Sequence, residues 1–239
     1  MTIQESNEIS RQIAIGSIVS VADFTTDFES GDSFNIRGMK GIVTELYSED
    51  EDGIRLTHAM IRWTADTIRS ISEVYVSYCL QNELYWTMTN LPLESLEIVE
   101  EPFDELELQW AINDKADEFF WHSSPEGRKL HSIFAAASPK DYLLPGDILV
   151  EYLRKNLRLP MNVAIAMESD PDDSNLPMGT KAQLVAIHSC DIRMNIYVEI
   201  IVECTTYLLP LEDLGPMERG ITKNMRILGT YLFWVSSRQ

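Results

Sequence analysis

The sequence predicts a mainly β protein of the α+β class: two related small SH3-like β-barrels joined by a helical segment. Three observations carry this reading. Short apolar runs led by glycine recur along the chain, the pattern of strands separated by tight turns. Four such blocks appear in the same order in each half, a weak internal repeat. Between the halves the apolar spacing changes from every second residue to every third or fourth, the period of a helix. The 239 residues leave room for one large domain or two small ones. The expected partition is 11–101 for the first barrel, 102–140 for an acidic helical linker and 141–239 for the second barrel.

The first half opens with Gly16-Ser17-Ile18-Val19-Ser20-Val21, and Gly146-Asp147-Ile148-Leu149-Val150-Glu151 is its expected counterpart. Next come Gly38-Met39-Lys40-Gly41-Ile42-Val43 and Gly179-Thr180-Lys181-Ala182-Gln183-Leu184. Gly38 and Gly41 bracket a turn in which a positive φ or a bulge is expected. The alternation of Leu56 to Trp63 predicts a half-buried strand, with Ile192 to Val202 its match. Each half closes alike, with Leu91-Pro92-Leu93-Glu94-Ser95-Leu96 and Leu209-Pro210-Leu211-Glu212-Asp213-Leu214. That block suits a strand leading into a single 3₁₀ turn, with proline where a strand edge tolerates a missing N–H. The first half carries extra residues from about Ile68 to Trp86.

Between the halves, apolar residues from Phe103 to Trp121 follow helical spacing, and Asp104, Glu105 and Glu107 suit the positive end of a helix dipole. Ser124-Pro125-Glu126 reads as an N-cap with proline at the first helical position, opening a second helix from Pro125 to about Ala137. The tail from Met225 to Val235 is apolar and aromatic and is expected to be a last strand covering a sheet edge.

Charge is the outlier of the composition. Asp and Glu number 38 against 19 Lys and Arg, a formal net of −19, while the hydrophobic fraction of 45% suits a folded core. Such a surface repels nucleic acid and anionic lipid and attracts basic proteins and divalent cations. The start, Met1 to Ser10, has neither a basic nor an apolar region of a secretory signal. No apolar run approaches the roughly 20 residues of a membrane helix. Three cysteines, Cys79, Cys190 and Cys204, without CxxC spacing, argue against a disulfide framework and fit a reducing cytoplasm.

The chemistry-bearing motifs are thin. No Gly-x-Ser-x-Gly elbow occurs, and Cys190, two residues from His188, is expected to share a strand face with it without an acidic group there to orient the imidazole. The four histidines, His58, His122, His131 and His188, form no His-x-x-x-His pair, so no metal ligand set is assigned from spacing. Two acidic loops, Glu49 to Asp52 and Asp170 to Asp173, are oxygen-rich but lack the EF-hand pattern. No phosphate-binding glycine motif appears, and the small basic cluster Arg154, Lys155, Arg158 makes no nucleic-acid stripe.

The densest feature is an acidic run interleaved with aromatics. The candidate partner-binding residues are Glu97, Glu100, Glu101, Asp104, Glu105, Glu107, Trp110, Asp114, Asp117 and Glu118. Rows of carboxylates resemble a phosphate backbone in charge and suit the basic groove of a nucleic-acid-handling protein. The sequence therefore points to a non-catalytic cytoplasmic interaction protein with a basic protein partner. Its concrete form is a nucleic-acid mimic that inhibits a nuclease or defence enzyme, using no cofactor, no direct nucleic acid and no membrane. The alternatives are an adaptor or assembly subunit docking through apolar barrel edges, and a divalent-metal-binding module using the two acidic loops.

Overall fold

In the computed structural model, residues 13–22, 25–27, 33–51, 54–136, 143–166, 176–191, 195–217 and 222–238 are described. The chain divides into two compact units: unit 1 is 1–115 with 238–239, and unit 2 is 116–237. Among the described residues the architecture is mixed, with two five-stranded antiparallel sheets and six α-helices. The expectation of a mainly β chain is thereby corrected, because helices fill stretches that the sequence reading gave to strands.

Unit 1 has strands β1 (Ile18–Val21), β2 (Thr25–Asp27), β3 (Ser33–Asn35), β4 (Lys40–Glu51), β5 (Ile54–Trp63), β6 (Met88–Pro92) and β7 (Leu96–Ile98). Its sheet runs β6-β5-β4-β1-β7, and β2 and β3 pair separately. The alternation read in 56–63 is real: Ala59, Ile61 and Trp63 are buried with Val19, Val21, Val43 and Trp86, while Thr57, His58, Met60 and Arg62 are only half-buried. The extra residues of this half form α1 (Ala65–Ser70) and α2 (Glu73–Gln81), whose starts are capped by the hydroxyls of Thr64 and Ser72.

Unit 2 has β8 (Met161–Ile165), β9 (Lys181–Cys190), β10 (Ile196–Val202), β11 (Thr205–Pro210) and β12 (Leu214–Pro216), in the order β11-β10-β9-β8-β12. This is the same plan. In each sheet the first strand lies between the second and the last, and three strands follow one another as a meander. The local bonds repeat as well. Gly38 N donates to Val21 O as Gly179 N donates to Ile165 O, and Ala22 N to Ser95 O as Ala166 N to Asp213 O. Gly38 and Gly179 have φ of +81° and +84°, the left-handed conformation that favours glycine. Both sheets carry a bulge at the equivalent position, between Val43 and Glu45 in β4 and between Leu184 and Ala186 in β9, and β9 has a second irregularity between Ile187 and Cys190. Both close through a single 3₁₀ turn, Leu93–Ser95 and Leu211–Asp213, as the Leu-Pro-Leu-Glu blocks predict. No ladder joins β6 to β7 or β11 to β12 among the described residues, so pairing stops short of a closed barrel.

Two expected strands are helices. Gly146 to Glu151 lies in α5 (Pro145–Asn156), so the counterpart of β1 is β8. The apolar run Ile148-Leu149-Val150 fits either period, but Pro145 opens the helix and Leu149 and Leu153 put one face into the core. Met225 to Val235 lies in α6 (Lys223–Ser236), capped by the Thr222 hydroxyl on Met225 N. Ile227, Leu228, Tyr231 and Trp234 recur at three and four and are buried, which fits a helix and not a strand. The two helices expected after residue 103 are α3 (Glu105–Phe119) and α4 (Pro125–Ala135), the latter capped by Ser124 as predicted. No helix of the described residues is long and apolar enough to cross a membrane.

Candidate functional site

The acidic run begins on β7, the edge strand of the unit 1 sheet, where Glu97 is exposed, and continues past its end with the exposed Glu100. Asp104 then starts α3, its carboxylate accepting from Glu107 N at 3.1 Å. Three carboxylates of the run are held by bases of unit 1. Lys40 donates to Glu101 and Arg62 to Glu105, and Arg69 donates to Glu107 at 2.8 Å and to Asp66 at 3.1 Å. Glu105 also accepts from Gln109, whose own oxygen accepts from Arg238 at 2.6 Å. The run thus serves partly as a strap, its acids clasped by cations that β4, β5 and α1 present. Trp110 is half-buried and Asp114 exposed.

The ten candidate residues fall in both units: those from Glu97 to Asp114 belong to unit 1, and Asp117 and Glu118 to unit 2. Of the two acidic loops, Glu49 to Glu51 continue β4, Asp52 and Gly53 lie outside the described residues, and so do 167–175.

Unit 2 holds groups that sequence spacing did not connect. Asp117 in the last turn of α3, His122 in the 3₁₀ turn Trp121–Ser123 and His131 in α4 place one ligand atom each within 4.8 Å of one another. His131 Nδ1 lies 2.8 Å from Asp117 Oδ2, and His122 Nε2 lies 3.9 Å from Asp117 Oδ1. The two rings are 5.4 Å apart at 51°. The only sequence signal was the helix–turn–helix pattern itself, which puts Asp117 and His122 at a corner with His131 two turns along the next helix. The same unit has a shallow pocket of about 270 Å³ on α4, α5 and α6, with Lys129, Lys223 and Arg226 on its wall.

Other expected pairings also change. His188 does have an orienting acid: Nε2 lies 3.0 Å from Glu199 Oε2 of the neighbouring strand β10. Sequence proximity did not single out Glu199, because this partner comes from across the ladder, eleven residues away. Cys190 Sγ nevertheless turns to its neighbour's carbonyl, donating to Asp191 O at 3.5 Å. Cys79 is buried in α2, and burial pushes its thiol up to about 11, away from the thiolate that nucleophilic chemistry uses. Glu212 and Asp213 in the closing 3₁₀ turn are raised above the usual carboxylate range. Burial is the main cause, with the charges of Asp213 and Asp191 adding to it at Glu212.

No family model and no curated protein matches the chain. Among solved structures it is similar to the crystal structure of Anabaena CcbP, at 16% identity over 46% of this chain and 89% of that one, with a TM-score of 0.38.

Proposed function

We propose that the protein is a non-catalytic, cytoplasmic interaction protein whose acidic unit 1 binds a basic partner protein, with a nuclease or defence enzyme whose groove normally holds nucleic acid as the specific case. The observation that carries this is the uneven charge. Unit 1 has 22 Asp and Glu against 8 Lys and Arg, unit 2 has 16 against 11, so −14 of the net −19 belongs to unit 1. A field of that sign accelerates encounter with a cationic groove and releases counterions on contact. Glu101, Glu105 and Glu107 are engaged by Lys40, Arg62 and Arg69, so the contact is assigned first to Glu94, Glu97 and Glu100, which stand exposed along the 3₁₀ turn, the edge strand and the segment just after it. In this reading each sheet is an SH3-like barrel unit. Its support is the strand order, with the last strand beside the first and a single 3₁₀ turn before it. The three free cysteines suit a reducing compartment.

An apolar adaptor surface is a second reading, favoured by the exposed Val74, Leu80, Leu84 and Tyr85 on α2 and its exit. One experiment separates the two. The protein is used as bait at about 50 mM and about 500 mM salt, between which the Debye length falls from about 14 Å to about 4 Å. The charge reading expects a partner captured at low salt, released at high salt, and lost from a folded Glu94→Gln, Glu97→Gln, Glu100→Gln variant. A partner retained at both salts and by that variant refutes it and favours the apolar surface.

A further inference from the structure

We infer that Asp117, His122 and His131 form a binding site for a divalent transition cation of the zinc class, independent of the acidic surface of unit 1. The donor set is two imidazole nitrogens and one carboxylate, which suits zinc and its neighbours and not calcium, whose sphere takes six to eight oxygens. Zn–N and Zn–O bonds near 2.0–2.2 Å set tetrahedral ligand atoms about 3.3–3.5 Å apart. Taken to the one oxygen Asp117 Oδ1, the separations are 3.1 Å from His131 Nδ1 and 3.9 Å from His122 Nε2 and bracket that value, so small side-chain rotations reach it. Three protein ligands leave a fourth position for water.

The backbone that carries the ligands is fixed by the core. Each ligand follows a fully buried residue: Ala116, Trp121 and Leu130 are exposed by 0%, 1% and 0%. Trp121 stacks on Phe134 at 5.3 Å and donates from its indole to Ser237 Oγ at 3.2 Å. Gly127 lets α4 lie directly on the preceding turn, since a Cβ there would stand 2.3 Å from Trp121 O. The ligand side chains themselves face water, with His122 and His131 67% and 51% exposed and Asp117 27%, so an ion reaches them without opening the fold. The nearby cation Arg128 donates to His122 O at 3.4 Å and not to the imidazole. Side chains set on a rigid corner lose little freedom on binding, the condition that favours a metal over three independent surface groups.

The test is calorimetric titration of the full chain with Zn²⁺, with Ca²⁺ and Mg²⁺ as controls. One equivalent of Zn²⁺ is expected to bind in the micromolar range, with no comparable signal from the controls. His122→Gln and His131→Gln are each expected to weaken binding by more than the roughly 10–100-fold that loss of an outer-shell partner costs. A second measurement needs no variant: among four histidines, the imidazole resonances of His122 and His131 shift on adding Zn²⁺ while those of His58 and His188 stay. The inference is overturned by absence of Zn²⁺ binding, by equal affinity in both histidine variants, by shifts at His58 or His188 instead, or by binding that disappears only with Cys190→Ser or Cys204→Ser.

Discussion

Lys40 and Lys181 open the second strand of their sheets in the same register, opposite Ser20 in unit 1 and Ala164 in unit 2. One residue further on the two sheets part. Unit 1 has Gly41 and unit 2 has Ala182. Gly41 is paired on both sides, with Val19 and with Trp63, whereas Ala182 is paired with Val163 and β10 reaches only to its neighbour Gln183. A Cβ on Gly41 would meet Ile61 Cγ2 at 2.3 Å and Arg62 O at 2.6 Å. Longer pairing in unit 1 therefore demands glycine where unit 2 accepts alanine. The same shift in use appears at Arg62, whose counterpart by register is Ile201. Unit 1 turns a sheet position into a cation that holds the acidic strap, and unit 2 keeps it apolar. A common hydrogen-bonding plan thus tolerates opposite side-chain chemistry, provided the turns and the bulge are kept.

The sharpest way to break this comparison is to exchange the glycine and the alanine. Gly41→Ala is expected to lower stability by about 3 kcal/mol, since the contact is partly with backbone that cannot rotate away. Ala182→Gly is expected to cost only about 0.5–1 kcal/mol of chain entropy. Urea unfolding followed by circular dichroism measures both, and equal losses would mean that the two positions are not packed differently. Next in size is Arg62→Leu, which leaves Glu105 without its cation in a half-buried place. A loss of about 1.5 kcal/mol is expected, the scale of a hydrogen bond to a charged group. A full loss that is unchanged in high salt would show packing of the arginine stem and not the ion pair to be responsible.

The smallest effect concerns the two closing turns. Glu212 is half-buried and Glu94, its counterpart, is exposed. Burial raises Glu212 above its usual range of about 4.3, so the folded protein binds this proton more tightly than the unfolded chain does. Stability from this group is therefore greatest at low pH and falls as pH rises through its raised range. Glu212→Gln is expected to raise the urea midpoint slightly at neutral pH, with the gain fading as pH drops into the ordinary glutamate range. Glu94→Gln, at an exposed position, is expected to change the neutral-pH midpoint little. A midpoint that responds alike in the two variants would remove burial as the distinguishing cause.

Local patterns made much of this legible. Glycine at Gly38 and Gly179, the alternation of 56–63 and the two Leu-Pro-Leu-Glu blocks describe turns, a strand and a 3₁₀ closure through neighbours only, and all are where the sequence puts them. The same holds for Ser124-Pro125, because a cap is satisfied within one turn of chain. Three apolar residues in a row, as at Ile148 to Val150, have no period of their own, and the core that took Leu149 and Leu153 decided for helix. Met225 to Val235 went the same way. Side-chain partnerships were out of reach for a different reason. Arg62 meets Glu105 across 43 residues and Asp117 meets His131 across 14, so an acidic run that reads as free charge becomes in part a strap. Composition by itself determined the sign of the surface and the number of imidazoles, since these are sums over residues. Only the tertiary structure decided which carboxylates are neutralised by neighbours and which three side chains converge, because those depend on where separate elements bring distant residues together.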